Sequence, residues 1–416
     1  MTRAMSDGVA VVGAGIVGVC CALSLRRAGL SVTLIDRAEP GRACSYGNAG
    51  ILTGTERGPL GLPGMLWSLP KWLMDPLGPM AVDIAYLPHL IPWGLRLMRE
   101  SRKDNVERIS DIMQSFYASS PDLYEELLAS VGASDLIRKS GYLCVYASRD
   151  HARSDGYFWD LHRRRSVDVR ELSGPEIRQI APSVSNRIDY GVHIPGESSV
   201  LDPFAVTTAL LNAFVAHGGQ VVRGEVRDVT TGDGRVLMTT ADDQRPFGSV
   251  VIAAGIHGST FARQLGYSVL LTSMRGYHAM LPNSNIELRL PVLSGDHKFF
   301  ASPMSAGLRL AGTAEFTDHH KNANLKRADV LVKAAKGVFP DLNGTDYTRW
   351  SGDRPMTPDS LPVVCEAPSH KGIYFAFGHG HNGLSGAPMT ARVVCALVTG
   401  NRPPIDIEPL SISRFC

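Results

Sequence analysis

A chain of 416 residues with 42 Lys and Arg against 40 Asp and Glu, net +2, has no charge excess that would make nucleic acid or an acidic membrane surface its main partner. At 44% hydrophobic and 20% charged residues it is long enough for two domains, each burying its own core. Seven cysteines, at 20, 21, 44, 144, 365, 395 and 416, are odd in number and hold no Cys-x-x-Cys pair, which argues against a disulfide framework, a zinc site or an iron–sulfur cluster and for a reducing compartment.

The first eight residues, MTRAMSDG, are too short and polar for a signal peptide, and a strand is expected directly after them. Val9-Ala-Val-Val12 is an apolar, β-branched run bounded by Gly13, the pattern of a buried parallel strand. Ile16 to Ala28 reads as helix, with Gly29 where a helix stop belongs. Ser31 to Ile35 reads as a second buried strand ending at Asp36, so the three elements form a right-handed βαβ unit. The turn Gly13-Ala14-Gly15-Ile16-Val17-Gly18 has a mechanical logic. Gly13 permits the tight turn, Gly15 lets the backbone approach a pyrophosphate, and Gly18 lets helix and strand pack closely. The helix N-terminus then offers N–H groups and a positive dipole end to phosphates. Asp36 lies where an acid accepts the adenosine ribose hydroxyls.

This fingerprint does not choose between NAD and FAD. The next segment does: Gly41 to Ile51, including Ala43, Cys44, Ser45, Asn48, Ala49 and Gly50, continues as a small-residue loop where a nicotinamide enzyme would run into another crossover helix. Small residues there let backbone N–H groups approach an extended flat ring system. From Pro59 to Met98 the chain is rich in Pro, Trp, Leu and Met, but Lys71, Asp75 and Asp83 divide it. No window reaches the roughly 18 apolar residues that a spanning helix needs. Short helices covering a pocket are expected there, with peripheral attachment to a bilayer left open.

Helical patterns follow between 81 and 165, and a second α/β section begins near Asp202. Pro203 opens the helix Phe204–His217, which Gly218 and Gly219 end. Strands are expected at Val221–Val226, Val236–Thr240 and Ser249–Ala253, the last running into Ala254 and Gly255 as a second cue to a cofactor. The alternating run at Leu308 suggests an antiparallel sheet. In the tail, Gly378-His379-Gly380-His381-Asn382-Gly383 is a glycine-spaced loop leading through Leu384 into a helix. Ser385 is the expected cap, Pro388 falls in the first turn, and Gly400 closes it. His379 and His381 invite a metal reading, but no nearby acid or third ligand completes a site, and no metal is expected. The fold class is therefore α/β, in two discontinuous domains: 1–58, 166–272 and 350–416 for the cofactor, 59–165 and 273–349 for the substrate.

Here the residues meet a family. VVGAGIVGVC at Val11–Cys20, SYGNAG at Ser45–Gly50, PKWLMDPLGP at Pro70–Pro79, RGYH at Arg275–His278, GLRLAGTAEF at Gly307–Phe316, DRPMTPDSLPV at Asp353–Val363 and GHGHNGLSGAPMTA at Gly378–Ala391 span nearly the whole chain. In them the chain resembles the D-amino-acid oxidase superfamily of FAD-dependent oxidoreductases, most of all the D-amino-acid dehydrogenase branch that includes glyphosate oxidoreductase. The resemblance implies FAD in a Rossmann-like domain and a second α+β domain whose mixed, largely antiparallel sheet roofs the flavin. It adds Arg37 and Val226 to the cofactor contacts. Some relatives attach FAD through a histidine in the loop after the second strand. Gly47 matches that position, so non-covalent FAD is expected.

The implied chemistry is oxidation of the CH–NH bond of a D-amino acid or N-substituted glycine, with hydride moving to flavin N5 and water hydrolysing the imine. Such a site needs a cationic anchor more than a nucleophile. Arg354 matches the arginine that pairs with the substrate carboxylate, a task suited to a planar bidentate fork. Tyr277 is expected to donate to a carboxylate, His278 to influence the amine's proton unless it faces core or solvent, and His381 to stand where some relatives carry an arginine. A quinone or another carrier is the expected electron acceptor, in the cytoplasm or at the inner face of the membrane. An oxygen-using glycine or sarcosine-type oxidase, an NAD-dependent dehydrogenase and a non-catalytic Rossmann sensor stay open as alternatives.

Overall fold

The computed structural model describes residues 7–55, 58–64, 78, 80–232, 234–241 and 243–415. Strand β1 (Val9–Val12) is buried along its length, and helix α1 (Ile16–Arg27) packs back onto it before β2 (Val32–Asp36) pairs parallel beside it. Two glycines make this geometry. Gly13 turns at φ +104°, and a Cβ on Gly18 would stand 1.8 Å from the Gly13 carbonyl oxygen. The helix stops where expected, with Gly29 at φ +86°.

The Pro70–Pro79 motif lies outside the described residues except for Gly78. After it, helix α2 (Leu87–Glu100) buries Trp93 and Leu97 and presents its other face outward. Ile84, Leu87, Ile91, Leu95 and Met98, large apolar side chains at helical spacing, are exposed there, Ile84 by 85%. Among the described residues no helix is long and apolar enough to cross a membrane.

The strand expected at Val221–Val226 is two strands. Strand β3 (Gln220–Arg223) joins β2 in parallel, the chain breaks at Gly224, whose N–H donates to the Asp36 carbonyl, and Val226–Gly232 enters a separate three-stranded antiparallel sheet. The helix before β3, Pro203–Ala216, is capped by Asp202, whose carboxylate accepts from the Phe204 and Ala205 N–H groups. Strand β4 (Ser249–Ile252) pairs parallel to β1 on its other side.

The second sheet begins with the long strands β5 (Thr272–Leu281), β6 (Gly307–Phe316) and β7 (Thr348–Met356). Its order runs β7-β5-β6 and onward through Phe299–Met304, Val292–Ser294, Tyr142–Tyr146, Tyr190–Ile194 and Arg170–Ser173, with Met80–Val82 parallel beside β6. The chain then returns to the first sheet through β8 (Val363–Glu366) and β9 (Ile373–Phe377), completing the order β3-β2-β1-β4-β9-β8, parallel except for the β8–β9 pair. It ends in helix α3 (Gly383–Thr399), closed by Gly400 at φ +74°.

Ser385 is not the cap of α3. The cap position lies three residues earlier, at Asn382, the helix starts at Gly383, and the Ser385 hydroxyl instead accepts the Thr53 N–H at 3.0 Å. Pro388 consequently sits inside the helix. The domain boundary expected near 165 is also displaced. Arg170–Ser173 and Tyr190–Ile194 belong to the second sheet because they continue the antiparallel ladder from Tyr142–Tyr146. Helices Lys103–Tyr117 and Ser120–Ala129 pack with the first core, where the Tyr124 hydroxyl donates to the Leu384 carbonyl and Ser120 to that of Ser385.

Candidate active site

Between the two sheets lies a cavity of about 2020 Å³, roughly twice the upper end of the ordinary small-ligand range and large enough for a dinucleotide with a substrate. One end is built by the turn after β1. A Cβ on Gly15 would meet only the Ser45 hydroxyl oxygen, at 3.2 Å, so the backbone there is open to an incoming group. Helix α1 starts from Gly15, which has no side chain to cap it, and has no acid in its first turn; the Ser45 hydroxyl accepts the Ile16 N–H at 3.0 Å, and the positive end of the helix faces the cavity. The Asp36 carboxylate, also on the wall, accepts from the Ala14 N–H at 2.7 Å and the Ala38 N–H at 2.9 Å, and retains lone pairs for hydroxyls. Phosphate-seeking N–H groups beside a diol-seeking acid fit the pyrophosphate and the adenosine ribose of an FAD.

Most of the residues expected from the sequence meet on this wall. Gly13, Gly15, Ile16, Val17, Asp36 and Arg37 line one end; Ala43, Cys44, Ser45, Asn48, Ala49 and Ile51 line the loop side. Val226, Ala253, Ala254 and Gly255 line it after β3 and β4, and Gly378 to Leu384 close it at the start of α3. Ala14, Gly18 and Gly50 stand behind the surface. Gly50 is needed there because a Cβ would lie 2.6 Å from the Val200 carbonyl oxygen.

Of the four residues expected at the chemistry, two reach the cavity. Arg354, on β7, donates from one Nη to the Thr313 carbonyl at 3.1 Å and pairs with no carboxylate of the described residues. His381 opens into the cavity, and enclosure there, with the Arg354 charge beside it, pushes its pKa down to about 4. Tyr277 is turned away. Its ring lies in the core on the other face of β5, and its hydroxyl donates to Glu315. The strand parity that puts Met274 on the cavity side puts Tyr277 opposite. His278 has the cavity-side parity, but Trp350 lies over it, ring centroids 5.0 Å apart and 17° from parallel. Burial and the nearby Arg309 cation push His278 down to about 3, so it stays neutral.

The two loop histidines part company, which removes the geometry of a metal pair. His379 is buried, shares a hydrogen bond with the Thr390 hydroxyl at 2.8 Å, and is held neutral by burial, at about 3.

Two residues that shape the wall, Arg309 from behind it and Trp350 within it, are not evident from the sequence. Arg309, 4% exposed, donates to the Tyr46 and Asn48 carbonyls at 3.0 and 2.6 Å and so braces the small-residue loop from β6. Trp350 covers Gly47 so closely that a Cβ there would stand 1.8 Å from the indole ring. A charged residue in an otherwise apolar alternating run was the available signal for Arg309.

Comparison with known proteins agrees with this geometry. The family model described as DAO, FAD dependent oxidoreductase, matches residues 8–397. The chain is 34% identical over 415 residues to a D-amino-acid oxidase of Bradyrhizobium diazoefficiens, covering 98% of each chain. It is 29% identical over 421 residues to a D-amino acid dehydrogenase of Paramagnetospirillum magneticum, again covering 98% of each. The crystal structure of glycine oxidase from Geobacillus kaustophilus superposes with a TM-score of 0.75 at 22% identity, over 98% of both chains.

Proposed function

The chain belongs to the FAD dependent oxidoreductase family, and from that premise we propose that it oxidises the CH–NH bond of a D-amino acid or an N-substituted glycine to an imine, which water hydrolyses to a 2-oxo acid or aldehyde. The observation that carries this reading is Arg354: a guanidinium enclosed in the cavity wall, fixed at one Nη and without an anionic partner among the described residues. A carboxylate-bearing substrate supplies the missing anion.

When bound, FAD supplies the hydride acceptor. The turn at Gly13–Gly18, Asp36, the loop from Ala43 to Ile51 and the segment from Gly378 to Leu384 are the residues proposed to hold it. Attachment is non-covalent in this reading. Trp350 occupies the space a side chain at position 47 would need, and burial pushes the Cys44 thiol, the nearby nucleophile, up to about 11. Arg354 holds the substrate carboxylate and thereby fixes where Cα sits. His381, neutral at physiological pH, adds no second positive charge to repel the amine. The start of α3, without a side-chain cap or an acid in its first turn, presents its positive end to negative charge developing in the cavity.

A quinone or another carrier is the proposed acceptor, in the cytoplasm or at the inner face of the membrane. The exposed apolar face of α2 supports this, because Leu87, Ile91, Leu95 and Met98 also line the cavity and so offer an apolar surface beside it. The two proposed domains are a cofactor layer around the parallel sheet and a substrate layer around the mixed sheet.

The test is anaerobic bleaching of the bound flavin by a panel of D-amino acids, D-proline derivatives, sarcosine and N-substituted glycines. Bleaching by one class identifies the substrate. A flavin that dithionite reduces and no member of the panel touches refutes the reading.

A further inference from the structure

We infer that Gly276 is a positioning residue for Arg354: with the bulged carbonyl of Thr313 it forms a trough that sets the pose of the guanidinium. The inference rests on the reading that Arg354 pairs with the substrate carboxylate.

Strands β7, β5 and β6 lie side by side, and Arg354 on β7 sits opposite Met274 on β5. Its Nη reaches the Thr313 carbonyl on β6, so the side chain crosses the full width of β5. That span is two strand spacings, about 10 Å, and the crossing passes over Gly276. A Cβ at 276 would lie 2.2 Å from one Nη, 2.3 Å from Cζ and 2.8 Å from Nε. Any other residue there would occupy the place of the guanidinium.

The far wall of the trough is equally particular. The β5–β6 register shifts between Arg275, paired with Glu315, and Tyr277, paired with Gly312, so Thr313 and Ala314 both oppose Gly276. Thr313 takes φ +52°, a conformation that a β-branched residue enters only under strain. Its hydroxyl is buried without a hydrogen-bond partner, so the side chain makes no hydrogen bond that would account for the conformation. What the bulge does provide is a carbonyl that takes one guanidinium N–H and leaves the others for a ligand.

Gly276 itself is outside the left-handed region, and the group in the way of a Cβ is the movable end of a long side chain. Gly276→Ala is therefore compatible with the fold and displaces mainly Arg354. The experiment titrates FAD-loaded protein with the aromatic carboxylate anthranilate, and with its amide, following the perturbation of the flavin absorbance. Gly276→Ala should weaken anthranilate by about tenfold or more, leave the amide within about twofold, and leave FAD content unchanged. In combination with Arg354→Ala it should add no further loss, because both changes remove one interaction.

If Arg354→Ala weakens anthranilate while Gly276→Ala does not, or if the two losses multiply, the trough is refuted and the Arg354 reading survives. If Arg354→Ala has no effect, the carboxylate reading falls, and this role for Gly276 falls with it. Thr313→Gly gives an independent check, since it keeps the carbonyl and removes the strained side chain. Binding should stay within about threefold and the melting temperature should not drop. A loss of tenfold or more there would assign the effect to the threonine side chain and overturn the role given to its carbonyl.

Discussion

Replacing Arg354 tests the centre of the functional reading. The guanidinium carries five N–H donors, of which one is committed to Thr313, so the fork that remains can meet a carboxylate with two parallel bonds. Removing an enclosed charge-assisted contact of this kind costs about 2–4 kcal/mol, or roughly 30- to 1000-fold in kcat/KM. Arg354→Lys keeps the charge but cannot both satisfy the Thr313 carbonyl and present a fork, so it should fall between wild type and Arg354→Ala. Part of the loss should appear in the rate of flavin reduction itself, because the contact also orients Cα. The assay is anaerobic stopped-flow reduction with the best amino-acid substrate and with an amine lacking a carboxylate, at equal FAD content across variants. The amine should lose little activity in Arg354→Ala, since its reaction never used the anchor. Near-normal reduction of Arg354→Ala by the amino acid would refute the carboxylate role and direct attention to His381.

Three further outcomes follow from the same geometry. Gly15→Val places a branched side chain where only the Ser45 hydroxyl stands near, so the variant should fold yet purify with little or no flavin, and full occupancy would sink the assignment of that turn. His379 is buried and neutral, its pKa lowered from 6.5 to about 3, so the unfolded chain binds a proton there that the folded chain refuses. Its stabilising contribution is complete above pH 6.5 and is lost as pH falls toward 3, by up to about 1.4 kcal/mol per pH unit. Denaturant midpoints for His379→Gln should therefore fall less steeply with acid than those of wild type, and parallel curves would contradict this. Substrate-reduced protein should reoxidise faster with a quinone or dye than with air; rapid, stoichiometric peroxide formation would favour an oxidase.

What the sequence determined by itself is the first turn and its surroundings. Gly13, at φ +104°, and Gly18, against the Gly13 carbonyl, answer backbone demands that arise within a few residues, and helix ends at Gly29 and Gly400 follow from the left-handed conformation a helix stop needs. The small-residue loop and the glycine-spaced tail were legible for the same reason. The single strand read at Val221–Val226 and the cap read at Ser385 were wrong locally, because the break at Gly224 and the bond from Thr53 both depend on segments distant in the chain. Tertiary structure alone decided the working face of the second sheet. Alternation in Arg275-Gly-Tyr-His278 says that Tyr277 and His278 point opposite ways, and only the pairing of β5 shows that Tyr277 meets Glu315 while Trp350 covers His278. The path of Arg354 is less local still. It requires a glycine on one neighbouring strand and a bulge on the next, and a sequence carries no mark of which strands will lie side by side, because pairing is settled by the burial of whole faces across the sheet.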